Sequence, residues 1–240
     1  MTFQSEIDPK TGQPVGLVVA DPSPAPRPEP VTLEGRYGRV ERLAQRHDAE
    51  LWEVVKGDDA LWTYMSGYGP FADFTAFSKW VASRLPLDDP YSYAVIEPSG
   101  RAVGISTLME IKPAMRSIEV GHIVYSPALQ RTRLATEVQY LLAKYVFETL
   151  GYRRYEWKCN SLNAPSRRAA LRYGFVFEGI LRQAMIAKGR NRDTAYFSML
   201  DSEWPARKKA FETWLAPENF DAQGRQKVSL ATLNGPKALT

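Results

Sequence analysis

The chain has 240 residues, 44% of them hydrophobic, with 31 basic and 27 acidic side chains for a net charge of +4, and a single cysteine. That apolar content is enough for one substantial core with tails, the charge is too mild to select a partner class, and one thiol excludes a disulfide framework or a four-cysteine zinc site. No run of about 18 apolar residues exists to cross a membrane, and with no secretory-type segment near Met1 the lone Cys159 favours a reducing cytoplasm.

Residues 1–30 end in alternating prolines (Pro22, Pro24, Pro26, Pro28, Pro30), which remove backbone donors and favour polyproline II, so they read as an N-terminal arm. A folded domain is expected over 31–215, opening with strand and turn at 31–43 and helical patches at 48–55, 60–65 and 71–84. The aromatic side chains of that region, Trp62, Tyr64, Tyr68, Phe71, Phe74 and Trp80, are expected mostly in a core. The glycines of 64–70 also suit a loop able to close over a second ligand. Segments 91–97, 101–111 and 116–125 are β-branched and aromatic, with turn signals between them, and predict an antiparallel meander. A helix follows over 134–150, with Val138, Leu141, Leu142, Tyr145, Val146 and Leu150 on one face and Gly151 at its left-handed cap. Next comes a strand at 154–159 alternating through Tyr155, Trp157 and Cys159. Strand, helix, strand in this order implies a parallel pair within an otherwise antiparallel sheet. A short helix opening at Asn163, a hairpin built from 175–186 and 194–200, and a closing helix around Trp204, Phe211, Trp214 and Leu215 complete the domain, and 216–240 reads as a polar tail without periodicity.

Two loops carry chemistry. In Ser126-Pro127-Ala128-Leu129-Gln130-Arg131-Thr132-Arg133-Leu134-Ala135 an extended run turns into a helix, so free N–H groups at Thr132, Arg133, Leu134, Ala135 and Thr136, with the charges of Arg131 and Arg133 and the amide of Gln130, face any anion placed there. A solvated basic helix start is the plainer alternative. The second loop is Asn163-Ala164-Pro165-Ser166, where Asn163 is also a good N-cap. His47, His122 and Cys159 have no metal-ligand spacing, so no metal is expected. Basic residues alternate with acids and no stacking motif accompanies them, which argues against nucleic acid.

The pattern resembles the Gcn5-related N-acetyltransferase (GNAT) superfamily, in the branch similar to ribosomal-protein N-terminal acetyltransferases, over roughly 31–204. The family loop Q/R-x-x-G-x-G/A is met by Gln130 and Ala135, with Arg133 at the central glycine. The N-x-x-S and G-F-x-x-E-G signatures are met by Asn163, Ser166, Gly174, Phe175, Glu178 and Gly179. The resemblance implies an α/β (α+β) single domain with a mixed, mostly antiparallel six- to seven-stranded sheet, a local parallel pair that splays into a slot, and helices on both faces. It implies acetyl-CoA as cosubstrate and acetyl transfer to a primary amine, a protein N-terminal α-amine or a small molecule, by direct attack. By the same resemblance Ile123 or Val124 presents an oxyanion amide, the backbone through Tyr125 pairs with the pantetheine, Asn163 and Arg167 contact the cofactor, and Ser166 is the proton source. A tyrosine many relatives carry four residues before the glycine of the G-F pair is Ala170 here. Gly121 permits a bulge that would turn the oxyanion amide inward. For the proton acceptor, Glu119, Glu178 and His122 are candidates and Glu119 is preferred. Arg133 and the missing tyrosine motivate the alternative, a non-catalytic CoA-sensing or protein-interaction module on the same fold. A homodimer is left open.

Overall fold

The computed structural model describes residues 4–235. Ten strands and six α-helices follow one another: β1 Ser5–Ile7, β2 Pro14–Gly16, β3 Leu33–Glu34, β4 Arg39–Arg42, α1 Asp48–Val55, α2 Phe74–Arg84, β5 Tyr91–Ile96, β6 Ala102–Lys112, β7 Ser117–Tyr125, α3 Arg133–Lys144, β8 Arg154–Asn160, α4 Ala164–Tyr173, β9 Val176–Ala187, β10 Arg190–Leu200, α5 Trp204–Leu215 and α6 Leu230–Leu233. β1 and β2 pair only with each other, while the other eight form one sheet in the order β3-β4-β5-β6-β7-β8-β10-β9. The count exceeds the expected six or seven because the stretch 31–43 splits at Gly35 and Gly38 into two short strands. Gly38 has φ 156°, and a Cβ there would lie 2.4 Å from the Ile96 carbonyl oxygen, so only glycine fits the turn. The turn is held from across the core by Glu137 of α3, whose carboxylate accepts the N–H groups of Arg36 and Tyr37 at 2.7 Å each.

Two apolar layers sandwich the sheet. α1 and α2 bury Leu51, Val55, Phe77 and Val81 against Ala94, Ile96, Ile105 and Val124. On the opposite face α3, α4 and α5 pack Val138, Leu142, Ala170, Phe211 and Trp214 over Ile118, Val120, Tyr155, Trp157 and Phe197. The six α3-region residues expected on one face are all buried, and the helix ends in a π-turn at Tyr145–Thr149 before Gly151. Tyr155, Trp157 and Cys159 alternate inward on β8 as their spacing predicts.

β7 and β8 form the one parallel pair, in register from Ser117↔Arg154 to Val120↔Trp157. There the pairing stops, although β7 continues to Tyr125 and β8 to Asn160. The cause is a bulge in β7: opposite β6, Ile105 faces Val124 but Thr107 faces Gly121, so β7 carries an extra residue. The bulge expected at Gly121 falls at His122, which takes φ 45°. Gly121 instead leaves room for the Met109 side chain, whose sulfur would lie 2.5 Å from a Cβ built there. The bulge turns β7 away from β8 and opens a gap between two strands that no longer pair with each other beyond Val120 and Trp157.

Residues 21–29 and 217–234 lie against the domain. The proline-rich stretch donates the Ala25 N–H to the Pro113 carbonyl and the Glu29 N–H to the Tyr145 hydroxyl, and Asp21 pairs with Arg116 at 2.6 Å. At the other end the expected unperiodic tail folds back: Leu230 is fully buried, Asn219 bonds the carbonyls of Trp214 and Val228, and the Asn234 amide bonds the Arg172 carbonyl.

Candidate active site

A cavity of about 1060 Å³ runs from the β7–β8 gap across the N-terminus of α3 to the C-terminal segment. At the gap its walls are Ile123, Tyr125 and Trp157, with Asn163 and Ser166 from the start of α4. Ile123 and Tyr125 reach it because the bulge resets the alternation of β7. Val124, expected here, points its side chain into the opposite core and is 1% exposed. Asn163 is the N-cap of α4, its Oδ1 accepting the Ser166 N–H at 3.1 Å, and among the described residues nothing in the chain takes its Nδ2. The Ser166 hydroxyl oxygen accepts the Trp157 indole N–H at 3.0 Å, which leaves its own proton to donate.

At the middle, Thr132 caps α3 by accepting the Ala135 N–H, and its hydroxyl donates to the Leu129 carbonyl. Arg131 is held at φ 63°. The N–H groups of Arg131, Arg133 and Leu134 find no acceptor among the described residues, so the positive end of the helix dipole and three donors converge on the cavity. The Gln130 side chain donates to the Tyr125 carbonyl and ties this loop to the gap. Thr136 and Ala135 line the same wall, while the Leu134 side chain packs inward, 7% exposed. Arg133, the departure from the family glycine, is drawn along the helix flank, its guanidinium 3.7 Å from the centre of the Phe220 ring and 5.5 Å from that of Tyr37.

α4 presents Arg168 and Arg172 to the cavity, whereas Arg167 turns to the Ser161 carbonyl and the Phe177 ring. Pro165, Arg168, Ala169 and Arg172 follow the spacing of one helix face, a signal present in the sequence that places Arg167 off that face. Tyr173, Trp214, Phe220 and Gln226 are further wall residues that the sequence reading did not assign. No carboxylate pairs with Arg131, Arg133, Arg168 or Arg172 among the described residues.

The candidate proton acceptors separate. Glu178 grips Arg154 with both oxygens at 2.8 and 2.5 Å and accepts the Ser198 hydroxyl, which makes it a brace between strands. His122 meets the Tyr68 ring at 5.5 Å, and burial beside Arg84 and Arg192 pushes its pKa down to about 4. Glu119 does not line the cavity. It lies at the last rungs of the β7–β8 pairing, opposite Glu156, 5% exposed and 2.8 Å from the Lys158 ammonium, which Glu156 shares at 2.9 Å. Arg154 already neutralises Glu156 at 2.6 Å. Burial therefore raises the Glu119 carboxyl to about 7 in spite of Lys158.

The aromatic cluster at Trp62, Tyr68, Phe71 and Trp80 packs as core, with ring centres 4.8–6.1 Å apart. The glycine-containing loop beside it is pinned by the tip of the β9–β10 hairpin, where Lys188 donates to the carbonyls of Trp62 and Gly69 and Arg192 to the Ser66 hydroxyl.

A family model described as acetyltransferase (GNAT) domain matches residues 40–176. Among solved structures, a GCN5-related N-acetyltransferase from Brucella melitensis superposes with TM-score 0.86 at 49% identity, covering 88% of this chain and 97% of that one. A GNAT-family structure from Chromobacterium violaceum does so with TM-score 0.76 at 45% identity, over 81% and 98%. A Bacillus subtilis protein named "Putative ribosomal N-acetyltransferase YdaF" is 28% identical over 109 residues, 45% of this chain and 59% of that relative, so this chain spans less than two thirds of its length. Matched over more than half its length by the family model and over nearly its whole fold by these structures, the chain belongs to the GNAT acetyltransferase family and is an N-acetyltransferase.

Proposed function

We propose that the chain transfers the acetyl group of acetyl-CoA to a primary amine, a protein N-terminal α-amine or a small-molecule amine, by direct attack. One observation carries this reading: the unpaired gap between β7 and β8 leads straight to the open N–H groups and uncompensated arginines at the start of α3. Two strand edges that no longer pair with each other fit an amide-bearing arm, which they hold as a sheet holds an added strand, and the donors beyond fit a diphosphate. The cosubstrate supplies an activated thioester, and the chain supplies position and charge. In this assignment Asn163 offers its Nδ2 to the arm, an N–H of Ile123 or Val124 faces the oxygen on which charge develops, and the Ser166 hydroxyl, oriented by the Trp157 indole, donates its proton to the departing sulfur. Glu119, on the sheet face covered by α1 and α2, takes the proton of an amine arriving from that face through a water, since its carboxyl is buried. A carboxyl near pH 7 is suited to that exchange. An α-amine, with a reference pKa of about 7.7–8.0, loses its proton more readily than a lysine near 10.4, which favours the former as acceptor.

The test is calorimetric titration with acetyl-CoA of the wild type and an Asn163→Ala, Arg131→Ala double variant, followed by an amine screen. Micromolar binding lost in the variant supports the assignment; a wild type that does not bind overturns it.

A further inference from the structure

Beyond the arm and the diphosphate, the cavity continues past Arg133 and Arg172 to a wall made by Trp214, Phe220, Gly224 and Gln226. Those residues lie C-terminal to the stretch matched by the family model, which ends at 176. We propose that the C-terminal segment 217–226 is the binding site for the nucleotide end of the cosubstrate, with Phe220 and Arg133 forming one stacked ledge for the purine and its phosphates. This rests on the acetyl-CoA reading above and deepens it.

The first support is charge. Arg131, Arg133, Arg168 and Arg172 line one cavity, and none of them has a carboxylate within 4 Å among the described residues. The acid nearest in sequence to the wall is withdrawn. Asp221 is occupied by the Arg225 guanidinium at 2.7 Å and by the N–H groups of Gln223 and Arg225. Four uncompensated guanidinium groups converging on a concave surface are a site for a polyanion.

The second is geometry. Arg133 lies 3.7 Å over Phe220 and Arg172 4.7 Å over Trp214. Stacking fixes a guanidinium plane while leaving its N–H edge free to take phosphate oxygens, and among the described residues the Arg133 side chain makes no hydrogen bond to compete. Gly224 lies directly beside it, a Cβ built there standing in ordinary contact at 3.7 Å from an Arg133 nitrogen.

The third is that the wall is built to hold its shape. The Trp214 indole donates to the Gln226 amide oxygen at 2.6 Å, Asn219 bonds three backbone groups of the segment and its neighbours, and Phe220 packs edge-on to Trp214 at 5.2 Å. A central arginine in place of the loop glycine is thereby explained, since Arg133 links the loop that holds the diphosphate to the segment that holds the nucleotide.

The experiment is calorimetric titration of the full chain with CoA, 3′-dephospho-CoA and 4′-phosphopantetheine, for the wild type, Phe220→Ala and Arg133→Met. The wild type is expected to bind CoA at least 100-fold more tightly than phosphopantetheine. Phe220→Ala should cut that preference at least tenfold with phosphopantetheine affinity unchanged, and Arg133→Met should cut the preference by a similar factor. A folded Phe220→Ala that keeps the full preference overturns the proposal. If Phe220→Ala fails to fold, as judged by far-UV circular dichroism, Arg133→Met decides alone, and a retained preference there overturns it. A wild type that binds CoA no better than phosphopantetheine also overturns it, whereas a wild type that binds neither defeats the acetyl-CoA reading beneath it.

Discussion

Glu119→Gln separates chemistry from architecture. Two carboxylates, Glu119 and Glu156, share the Lys158 ammonium, and Glu156 has Arg154 besides. The uncompensated negative charge therefore falls on Glu119, whose carboxyl moves from the usual 4.5 to about 7 because it is buried. If it is the base, its active fraction rises from about a tenth at pH 6 to about nine tenths at pH 8, so kcat/KM should climb about tenfold between them. Glu119→Gln should lower kcat by about 100-fold or more and abolish that limb. The same shift has a consequence for stability that does not depend on catalysis. The folded pKa lies above the unfolded one, so the native state holds a proton that the unfolded chain has released. The resulting stabilisation is complete below pH 4.5 and is lost as the pH rises through 7, a change of about 3 kcal/mol. Lys158 is raised in the native state and titrates far above this window, and Glu156 is lowered and titrates below it. His122, whose pKa burial lowers to about 4, and His47, lowered likewise, add stability as the pH rises over the same range in both proteins, so urea unfolding from pH 5 to 8 should show the stability of the wild type relative to Glu119→Gln declining with pH. A relative stability that declines in this way beside an unchanged pH–rate profile would refute the catalytic role while leaving the buried charge intact; a relative stability that does not vary with pH would refute the electrostatic reasoning itself.

Ser166→Ala should reduce kcat about tenfold to 100-fold with little change in cosubstrate affinity, and because it strands the Trp157 indole N–H it should also cost about 1–3 kcal/mol in denaturant titration. Glu137→Ala leaves the N–H groups of Arg36 and Tyr37 without their acceptor and opens a gap beside Gly35, so thermal unfolding should show a loss of at least about 2 kcal/mol. Arg168→Ala should weaken acetyl-CoA binding about tenfold, the scale of a charge-assisted contact, whereas Arg167→Ala should leave it unchanged in the same calorimetric titration; the reverse order would mean that α4 is rotated relative to the cavity.

The contrast between Arg167 and Arg168 marks where sequence reasoning reached its limit. The strand, helix, strand run through β7, α3 and β8 was legible because periodicity and turn chemistry are local: the α3 stripe, Gly151 at its end and the alternation of Tyr155, Trp157 and Cys159 each need only neighbouring residues. The N-cap at Asn163 was legible for the same reason. Helix phase on α4 was equally available in the spacing of Pro165, Arg168, Ala169 and Arg172, and the assignment of Arg167 did not use it.

Features fixed by long-range contacts left no such trace. Gly121 suggested a bulge in the right strand at a position one residue away, because its lack of a side chain serves clearance from Met109 on the neighbouring strand, a demand invisible along one segment. The C-terminal segment has no period because its order comes from single anchors to distant elements: Leu230 in the core, Asn219 and Asn234 on backbone carbonyls, Gln226 on Trp214. Arg133 belongs to both cases. Within its loop it breaks a glycine pattern and argues against a working site; beside Phe220, it is held by a ring that the loop alone does not reveal. A motif departure of this kind is evidence of lost function only when the departing side chain stays where the missing glycine left room. Here it is carried out of the loop and against the C-terminal wall, so the same substitution that weakened the sequence argument becomes a reason to look for ligand contacts beyond the loop itself.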